Sequence, residues 1–321
     1  MSKQTPWDDI RTPSIDYNVR LVAGSDYIPL YWGRDAEGHC LFLVELDGDH
    51  STQFRRDAIR IQGIRLDLRQ GETEQQRLVL TLEKHIDQDL FSGLCESLVR
   101  TLTPMADSAT ALSVTLAHIK RWKAFLAGRK TRLLSPEEIR GLFAELWFLR
   151  SLYQSHLPEK AAVDAWCGVE GLHQDFIFGN TAVEIKSLSG KERNTVHISS
   201  EDQLEGISDN LFLMIFRLND MPDSARALSL NDAVYRIENE LTDASVIENF
   251  SAKLAGYGYV SIPEYDLPKL LVNATHAYLV SNNFPRLIRS CLPEGVTKVS
   301  YEIELENISL FEIEPEQIFR R

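Results

Sequence analysis

Hydrophobic and polar positions alternate along much of the first hundred residues, which predicts a β-rich start to the chain. Strand-like runs cover residues 27–32 and 39–46, and a further pair covers 58–68 and 77–82. From Asp89 to about Gly128 the apolar residues recur at intervals of three and four, as they do in helices. The pattern therefore predicts a β-rich N-terminal domain over residues 1–110 and a helical connector over 111–134.

After residue 134 the pattern alternates between helices and strands. Ser135 and Pro136, followed by Glu137 and Glu138, form a helix-start signal, and this helix should run to about Tyr153. A continuous apolar run at 211–216 predicts a central strand that is covered on both faces. Two helices are expected at 231–241 and 244–254, and the alternation at 299–305 fits a half-exposed strand. Residues 135–321 are therefore expected to form an α/β domain.

The stretch DFIFGNTAVEIK, residues 175–186, combines a hairpin signal with an unusual set of charges. Gly179-Asn180 is typical of a two-residue loop, and that loop places Asp175 opposite Glu184. Lys186 then lies on the same face as Glu184. Two acids about 5 Å apart repel each other, so a positive group is needed between them. Lys186 supplies part of that charge, and Mg²⁺ could supply the rest, because it takes hard carboxylate ligands and keeps several waters.

A third acid, Glu145, lies on the helix predicted for 139–153 and is surrounded there by Leu142, Phe148 and Leu149. A carboxylate in such surroundings needs a partner, and it could find one on the sheet that the helix covers. Each feature also has a simpler interpretation. Glu145 fits the edge of an amphipathic helix, and the hairpin charges fit a solvated face with an ion pair that contributes little.

Taken in order, these elements resemble the PD-(D/E)xK nuclease superfamily, in which a helix acid, a strand Asp and a (D/E)xK on the next strand hold a metal. More narrowly, the chain resembles a bacterial family of PD-(D/E)xK proteins found beside restriction–modification genes. The resemblance covers residues 135–321 well and the N-terminal part more loosely. Gln174 occupies the position at which the superfamily name has proline. That proline has no chemical role, so the difference does not count against the resemblance. The matching elements are GLFAEL at 141–146, WCG at 166–168 leading to Asp175-Phe176, Glu184-Ile185-Lys186, HISS at 197–200 with Gln203-Leu204, and NFPR at 283–286.

The resemblance implies a restriction-endonuclease-like core, with a mixed sheet flanked by helices, and a role for each residue. Asp175 and Glu184 would bind the metal, and Glu145 would complete its shell directly or through water. Lys186 would orient or help deprotonate the attacking water, and Gln203 would support the site. The implied activity is Mg²⁺-dependent endonucleolytic cleavage of DNA, with Mn²⁺ as the alternative ion, in a restriction or phage-defence system. The alternative is a non-catalytic DNA-binding or assembly subunit on the same fold.

The distribution of charge affects how such a protein would meet DNA. The net charge is −13, yet residues 1–134 are neutral, so all the excess acid lies in residues 135–321. No acid occurs between Asp107 and Glu137, a stretch whose basic residues fit either a solvated surface or contacts with the DNA backbone. We expect weak DNA binding by the chain alone, and a partner subunit or homodimer that supplies more. The candidate backbone contacts are Arg129, Lys130 and Arg132, with Lys191 and Arg193 just past the hairpin.

The remaining composition narrows the class of protein. No apolar run approaches the roughly 20 residues of a membrane span, so no membrane contact is expected. The N-terminal residues lack the apolar core of a signal peptide, which predicts a cytoplasmic protein. The four cysteines are widely scattered and have no CxxC spacing that would indicate zinc.

Overall fold

The described part of the chain forms two compact units. The computed structural model describes residues 5–320 except for 57–58, 60, 62, 72–73, 84–87, 128–132, 169–172, 191–193, 206–207, 209 and 297. The first unit comprises residues 1–132 and 238–263, and the second comprises 133–237 and 264–321. Among the helices of the described residues, none has both the length and the apolarity that crossing a membrane requires.

The first unit contains a five-stranded sheet in which every neighbouring pair is antiparallel, in the order β1-β2-β3-β5-β4. Its core includes Trp7, which stacks on Phe91 at a centroid distance of 5.5 Å. The indole N–H of Trp7 donates to the backbone oxygen of Leu41 at 2.7 Å. The strands are β1 (Tyr17–Leu21), β2 (Leu30–Asp35), β3 (Cys40–Asp47), β4 (Ile64–Gln70) and β5 (Gln75–Leu82). The helices are α1 (Ser51–Arg56), α2 (Gln88–Leu102), α3 (Ser108–Ala127) and, late in the chain, α7 (Ala244–Tyr257).

The second unit contains a mixed five-stranded sheet in the order β12-β10-β9-β7-β6. Strands β7 and β9 are parallel, and the other neighbouring pairs are antiparallel. The predicted central strand is confirmed, since β9 pairs on both sides and Leu211 to Phe216 are buried. The strands are β6 (Phe176–Phe178), β7 (Thr181–Ser189), β8 (Thr195–Ile198), β9 (Asn210–Asp220), β10 (Leu270–Leu279), β11 (Tyr301–Glu304) and β12 (Glu312–Ile313), with β8 and β11 forming a separate pair. The helices are α4 (Pro136–Ser155), α5 (Glu159–Ala165) and α6 (Leu230–Glu240), whose residues 238–240 belong to the first unit.

Helix α4 begins where the sequence predicts. The side chain of Ser135 accepts from the backbone N–H of Glu138 at 3.2 Å, and the Glu138 carboxylate accepts from the backbone N–H of Ser135 at 2.7 Å. This reciprocal capping satisfies two of the donors that a helix start otherwise leaves unpaired. Phe148 of α4 packs edge-on against Phe176 of β6 at 4.7 Å. The helix therefore covers the face of the sheet that carries Phe176.

The opposite face of the same sheet is covered by a second hydrophobic cluster. Ala182 and Leu188 of β7 belong to this cluster, together with Leu213 of β9 and residues of β8 and β11. Because side chains alternate along a strand, Glu184 and Lys186 lie between Ala182 and Leu188 on this face. A predominantly apolar layer thus contains two adjacent charged positions.

Candidate functional site

The predicted hairpin register is confirmed. Strand β6 pairs with β7 through Phe178–Thr181, Ile177–Ala182 and Phe176–Val183, and Gly179 has a φ of 56° that suits glycine. Asp175 lies just before the ladder and not within it.

The Asp175 carboxylate is nevertheless fixed against the neighbouring strand. Its Oδ2 accepts from the backbone N–H of Ile185 at 2.7 Å. The backbone oxygen of Asp175 accepts from the N–H groups of Cys167 at 2.7 Å and Gly168 at 3.2 Å. These bonds fix Asp175 against β7, the strand that carries Glu184.

Glu184 is a buried carboxylate whose oxygens have no hydrogen-bond donor among the described residues. The residue is 1% exposed, and both Oε atoms are buried without such a partner. Lys186 Nζ lies 2.8 Å from Oε1, within ion-pair distance, although the pair does not have hydrogen-bond geometry. Lys186 therefore supplies positive charge, and an ammonium at this distance lowers the pKa of Glu184, but it does not offset the effect of burial. Such burial is costly for a carboxylate unless a further positive group is present.

The pKa values of the two acids show the same deficit of positive charge. Burial, and then the charge of Asp175, raises the pKa of Glu184 to about 8, although Lys186 opposes the shift. Burial also raises the pKa of Asp175 to about 6, against the lowering effects of Lys186 and the Ile185 N–H. Two neighbouring carboxylates in an apolar layer disfavour each other's ionised form. A cation between them would reverse both shifts.

Glu145 and Asp175 both lie near Gly168, and this glycine keeps the space beside them open. The indole N–H of Trp166 donates to Glu145 Oε2 at 2.7 Å, and both residues are buried. A Cβ atom at position 168 would lie 2.8 Å from Asp175 Oδ1 and 3.4 Å from Glu145 Oε2. Gly168 does not have a positive φ, so space and not backbone conformation requires glycine there. The two carboxylates thus border one small volume.

Gln203, to which the resemblance assigns a supporting role, contacts the ammonium of Lys186. Its Oε1 accepts from Lys186 Nζ at 3.1 Å. The same oxygen accepts from the backbone N–H of Ser199 at 2.9 Å and from the Ser199 hydroxyl at 3.1 Å. Gln203 lies in a short 3₁₀ turn, Glu201–Leu204, that follows β8. This turn therefore positions Lys186 from the side opposite Glu184.

The chemistry of this donor set fits a hard divalent cation. Two neighbouring carboxylates with raised pKa values, one of them with both oxygens lacking a donor among the described residues, are the ligands that Mg²⁺ and Mn²⁺ prefer. The ligand atoms of Glu145, Asp175 and Glu184 do not all lie within 4.8 Å of one another. Asp175 and Glu184 stay the predicted direct ligands, and Glu145 stays the predicted third acid, bound directly or through water.

Elsewhere in the described residues, Asp35, Glu37 and His39 do bring three ligand atoms within 4.8 Å of one another. They lie at the turn between β2 and β3. Asp35 Oδ2 binds His39 Nδ1 at 2.9 Å, and Asp35 Oδ1 accepts from the backbone N–H groups of Glu37 and His39. These bonds close the turn and account for the cluster.

The candidate DNA contacts form a further group of predicted residues. Arg129, Lys130, Arg132, Lys191 and Arg193 all lie outside the described residues. Three other basic residues of this stretch are described, Lys120, Arg121 and Lys123, and the first two pair with acids. Arg121 is buried and donates to Glu238 at 2.7 Å, and Lys120 lies 2.5 Å from Glu248.

Three residues in this region have contacts that the sequence did not reveal. Trp166, expected to be an ordinary core residue, is the donor to Glu145. Ser199 anchors Gln203, and Gln174 binds the turn that carries Gln203. A buried indole N–H needs an acceptor, so Trp166 beside a predicted buried acid is the pairing that could have been inferred.

Comparison with known proteins gives one match that spans nearly the whole chain. Residues 3–306 match a family described as "Putative PD-(D/E)XK family member, (DUF4420)". No curated protein and no solved structure matches the chain significantly. The mixed α/β architecture, with sheets flanked by helices, is consistent with the restriction-endonuclease-like fold of PD-(D/E)xK proteins.

Proposed function

This chain belongs to the family described as "Putative PD-(D/E)XK family member, (DUF4420)", and from that premise we propose that it is a metal-dependent endonuclease that hydrolyses DNA phosphodiester bonds. The observation that carries the proposal is Glu184, a buried carboxylate without a hydrogen-bond donor among the described residues, in the company of Asp175 and Lys186. A purely structural hairpin would not be stabilised by this arrangement. Perturbed pKa values of this kind are typical of functional sites.

Asp175 and Glu184 would hold Mg²⁺ or Mn²⁺, with Glu145 bound directly or through water. The ion, when bound, polarises the scissile phosphate and lowers the pKa of its water. Glu184 must release its proton to act as a ligand, since its pKa is about 8 in the metal-free protein. The donor bonds to Asp175 and Glu145 keep both carboxylates oriented before metal arrives.

Lys186 would act on the substrate and not on the metal. A protonated ammonium cannot ligate a cation, but it can orient the attacking water and neutralise the charge that develops on phosphorus oxygens. The bond to Gln203 Oε1 limits the positions the ammonium can adopt. Binding and chemistry should therefore separate at this residue.

A cleavage assay with matched lysine variants tests the proposal. Supercoiled and linear duplex DNA are incubated with Mg²⁺, Mn²⁺ or a chelator, and turnover is measured for the wild-type chain and for Lys186→Met. We expect metal-dependent cleavage by the wild type and a loss of about 10²–10³ in turnover for the variant, with DNA and metal binding retained. The control is Lys160→Met, a lysine with 72% of its side chain exposed. Metal-independent cleavage, or parental turnover by Lys186→Met, contradicts the mechanism.

The biological setting we propose is a restriction or other phage-defence system, on the strength of the resemblance. Plaque counts on cells with and without the intact gene, and with Glu184→Ala, measure it. Protection that survives Glu184→Ala would instead support the non-catalytic DNA-binding or assembly subunit.

For delivery of DNA we propose a partner subunit or homodimer, guided by Arg129, Lys130, Arg132, Lys191 and Arg193. The excess of acid in residues 135–321 supports this proposal, because backbone contacts require a positive surface. Replacing Arg129, Lys130 and Arg132 with Gln should reduce the slope of log affinity against log salt by up to about 0.9 for each lost phosphate contact. Tight binding by the isolated chain at physiological salt, unchanged in the triple variant, would exclude both parts of this proposal.

A further inference from the structure

The backbone turn that carries Gln203 is held by two side chains from distant parts of the sequence. Gln174 Nε2 donates to the carbonyl oxygens of residues 202, 203 and 205, at 3.1, 3.2 and 3.1 Å. Arg286 Nη1 donates to the carbonyl oxygen of residue 204 at 2.5 Å. Four consecutive carbonyl groups thus accept from Gln174 or Arg286. A short 3₁₀ turn has few hydrogen bonds of its own, so these external donors stabilise it.

The amide of Gln174 can make these contacts in one orientation only. The residue is 1% exposed, and its Nε2 has two hydrogens for three acceptors. Turning the amide over would direct Oε1 at three carbonyl oxygens, which repel it. The present orientation leaves Oε1 buried without a hydrogen-bond partner among the described residues. The orientation that holds the turn therefore leaves one buried polar atom of Gln174 without a partner among the described residues. An unsatisfied buried group of this kind calls for an explanation.

That turn connects the two halves of the candidate site. Gln174 immediately precedes Asp175, the candidate metal ligand, while Gln203 on the turn accepts from Lys186. The position of Lys186 is therefore linked to Asp175 through Gln174 and the turn. A proline at position 174, the residue in the superfamily name, has no side-chain donor and could not make this connection.

We propose that Gln174 is a positioning residue of this site: it fixes the turn at 202–205 so that Gln203 holds the Lys186 ammonium beside Glu184, with Arg286 securing the turn from a second side. The inference rests on the proposed nuclease function for its catalytic consequence. The clamp on the turn is a separate claim that can be measured without cleavage.

Gln174→Met tests the catalytic consequence, because it keeps the side-chain length and removes the donor. We expect kcat to fall about tenfold to a hundredfold with KM for DNA unchanged, since a small displacement of a catalytic group is costly. The matched control is Gln317→Met, at an exposed glutamine of the same unit. In a Gln203→Ala background, adding Gln174→Met should lower kcat by less than about twofold, because the two residues act through one contact. Losses that multiply fully in the double variant would overturn the positioning role.

Amide hydrogen exchange tests the clamp independently of activity. Gln174→Met should accelerate exchange in residues 199–205 while leaving exchange in α4 unchanged. Arg286→Met provides a second variant with the same expected signature if Gln174→Met does not fold. Unchanged exchange at 199–205 in the folded variants would overturn the proposal. If the wild-type chain does not cleave DNA, the nuclease proposal fails by itself, and exchange still decides whether Gln174 fixes the turn.

Discussion

Two buried glutamates in this protein, Glu238 in the first unit and Glu184 in the second, have opposite electrostatic environments. Glu238 accepts from Arg121 at 2.7 Å and lies 3.2 Å from His118 Nε2. Burial by itself raises the pKa of Glu238, but Arg121 and then His118 bring it down to about 2. Glu184 has an ammonium beside it but no hydrogen-bond donor among the described residues, and its pKa rises to about 8.

The contrast shows that burial does not determine the role of a carboxylate. The guanidinium of Arg121 and the imidazole of His118 both contact Glu238, so its carboxylate has partners and stabilises the fold. Glu184 is equally buried but is left short of positive charge and of donors. A buried carboxylate that is short of donors and positive charge destabilises the protein unless a ligand supplies them. We therefore assign a functional role to Glu184 and a structural role to Glu238.

The largest expected effect on stability comes from removing Glu238, the buried glutamate that has charged partners. Glu238→Ala leaves the buried guanidinium of Arg121 without its carboxylate, so the free energy of unfolding should fall by about 3–5 kcal/mol. Glu184→Ala in metal-free protein should cost far less, because it removes a buried polar group whose oxygens have no hydrogen-bond donor among the described residues. Denaturant unfolding of both variants measures the difference. Equal losses of stability would mean that the two glutamates do not differ in the way described.

The next effect is the dependence of stability on pH, which should have opposite signs for the two residues. Native Glu184 keeps its proton up to about pH 8, whereas the unfolded chain releases it near 4.5. The native state therefore binds more protons in this window, and the free energy of unfolding of metal-free protein should fall as pH rises from about 5 to 8, by on the order of 2–4 kcal/mol. Native Glu238 has a lowered pKa, so its contribution is present above about 4.5 and is lost as pH falls towards 2.

Glu184→Gln isolates the first of these contributions. The variant should remove most of the decline between pH 5 and 8, while Glu302→Gln, at an exposed position of β11, should leave it unchanged. A decline of the same size in Glu184→Gln would show that other groups cause it.

A smaller effect on stability is expected at Glu145, a buried glutamate that accepts a hydrogen bond from the neutral indole of Trp166. Trp166→Phe removes the indole donor at 2.7 Å and keeps most of the apolar volume. The loss of one hydrogen bond to a buried carboxylate should lower the free energy of unfolding by about 1–3 kcal/mol. Cleavage should fall as well, if the orientation of Glu145 matters for the metal. Thermal unfolding together with the cleavage assay checks both statements; parental stability would show that the indole N–H does not support Glu145.

Local signals made part of the structure predictable from the sequence. The Gly179-Asn180 loop determines the register of β6 and β7, and the Ser135 capping signal determines the start of α4. Positions that depend on local conformation were less certain. The helix expected at 244–254 continues as α7 to Tyr257, before Gly258, whose φ of 82° provides the left-handed cap. Strands β1, β10 and β12 were not predicted, because their pattern of burial does not alternate clearly.

Contacts between distant residues could not be inferred in this way. Arg121 looked like part of a solvated basic stretch, yet its partner Glu238 is 117 positions later. Gln174 looked like an inert replacement, because its acceptors are backbone carbonyls about 30 positions away that no residue type announces. The sequence predicted which residues carry charge near the hairpin. The tertiary structure determines which of those charged side chains have hydrogen-bonding or oppositely charged partners.

Calorimetric titration of Mn²⁺ and Mg²⁺ into the metal-free protein at pH 7 tests the central claim most directly. We predict one site, with release of about one proton per ion as Glu184 becomes a ligand, visible as a dependence of the binding enthalpy on the buffer. Asp175→Ala and Glu184→Gln should each abolish this site, and Glu302→Gln should retain it. Unchanged binding of both ions in Asp175→Ala and Glu184→Gln would contradict the assignment of these two acids as the metal ligands.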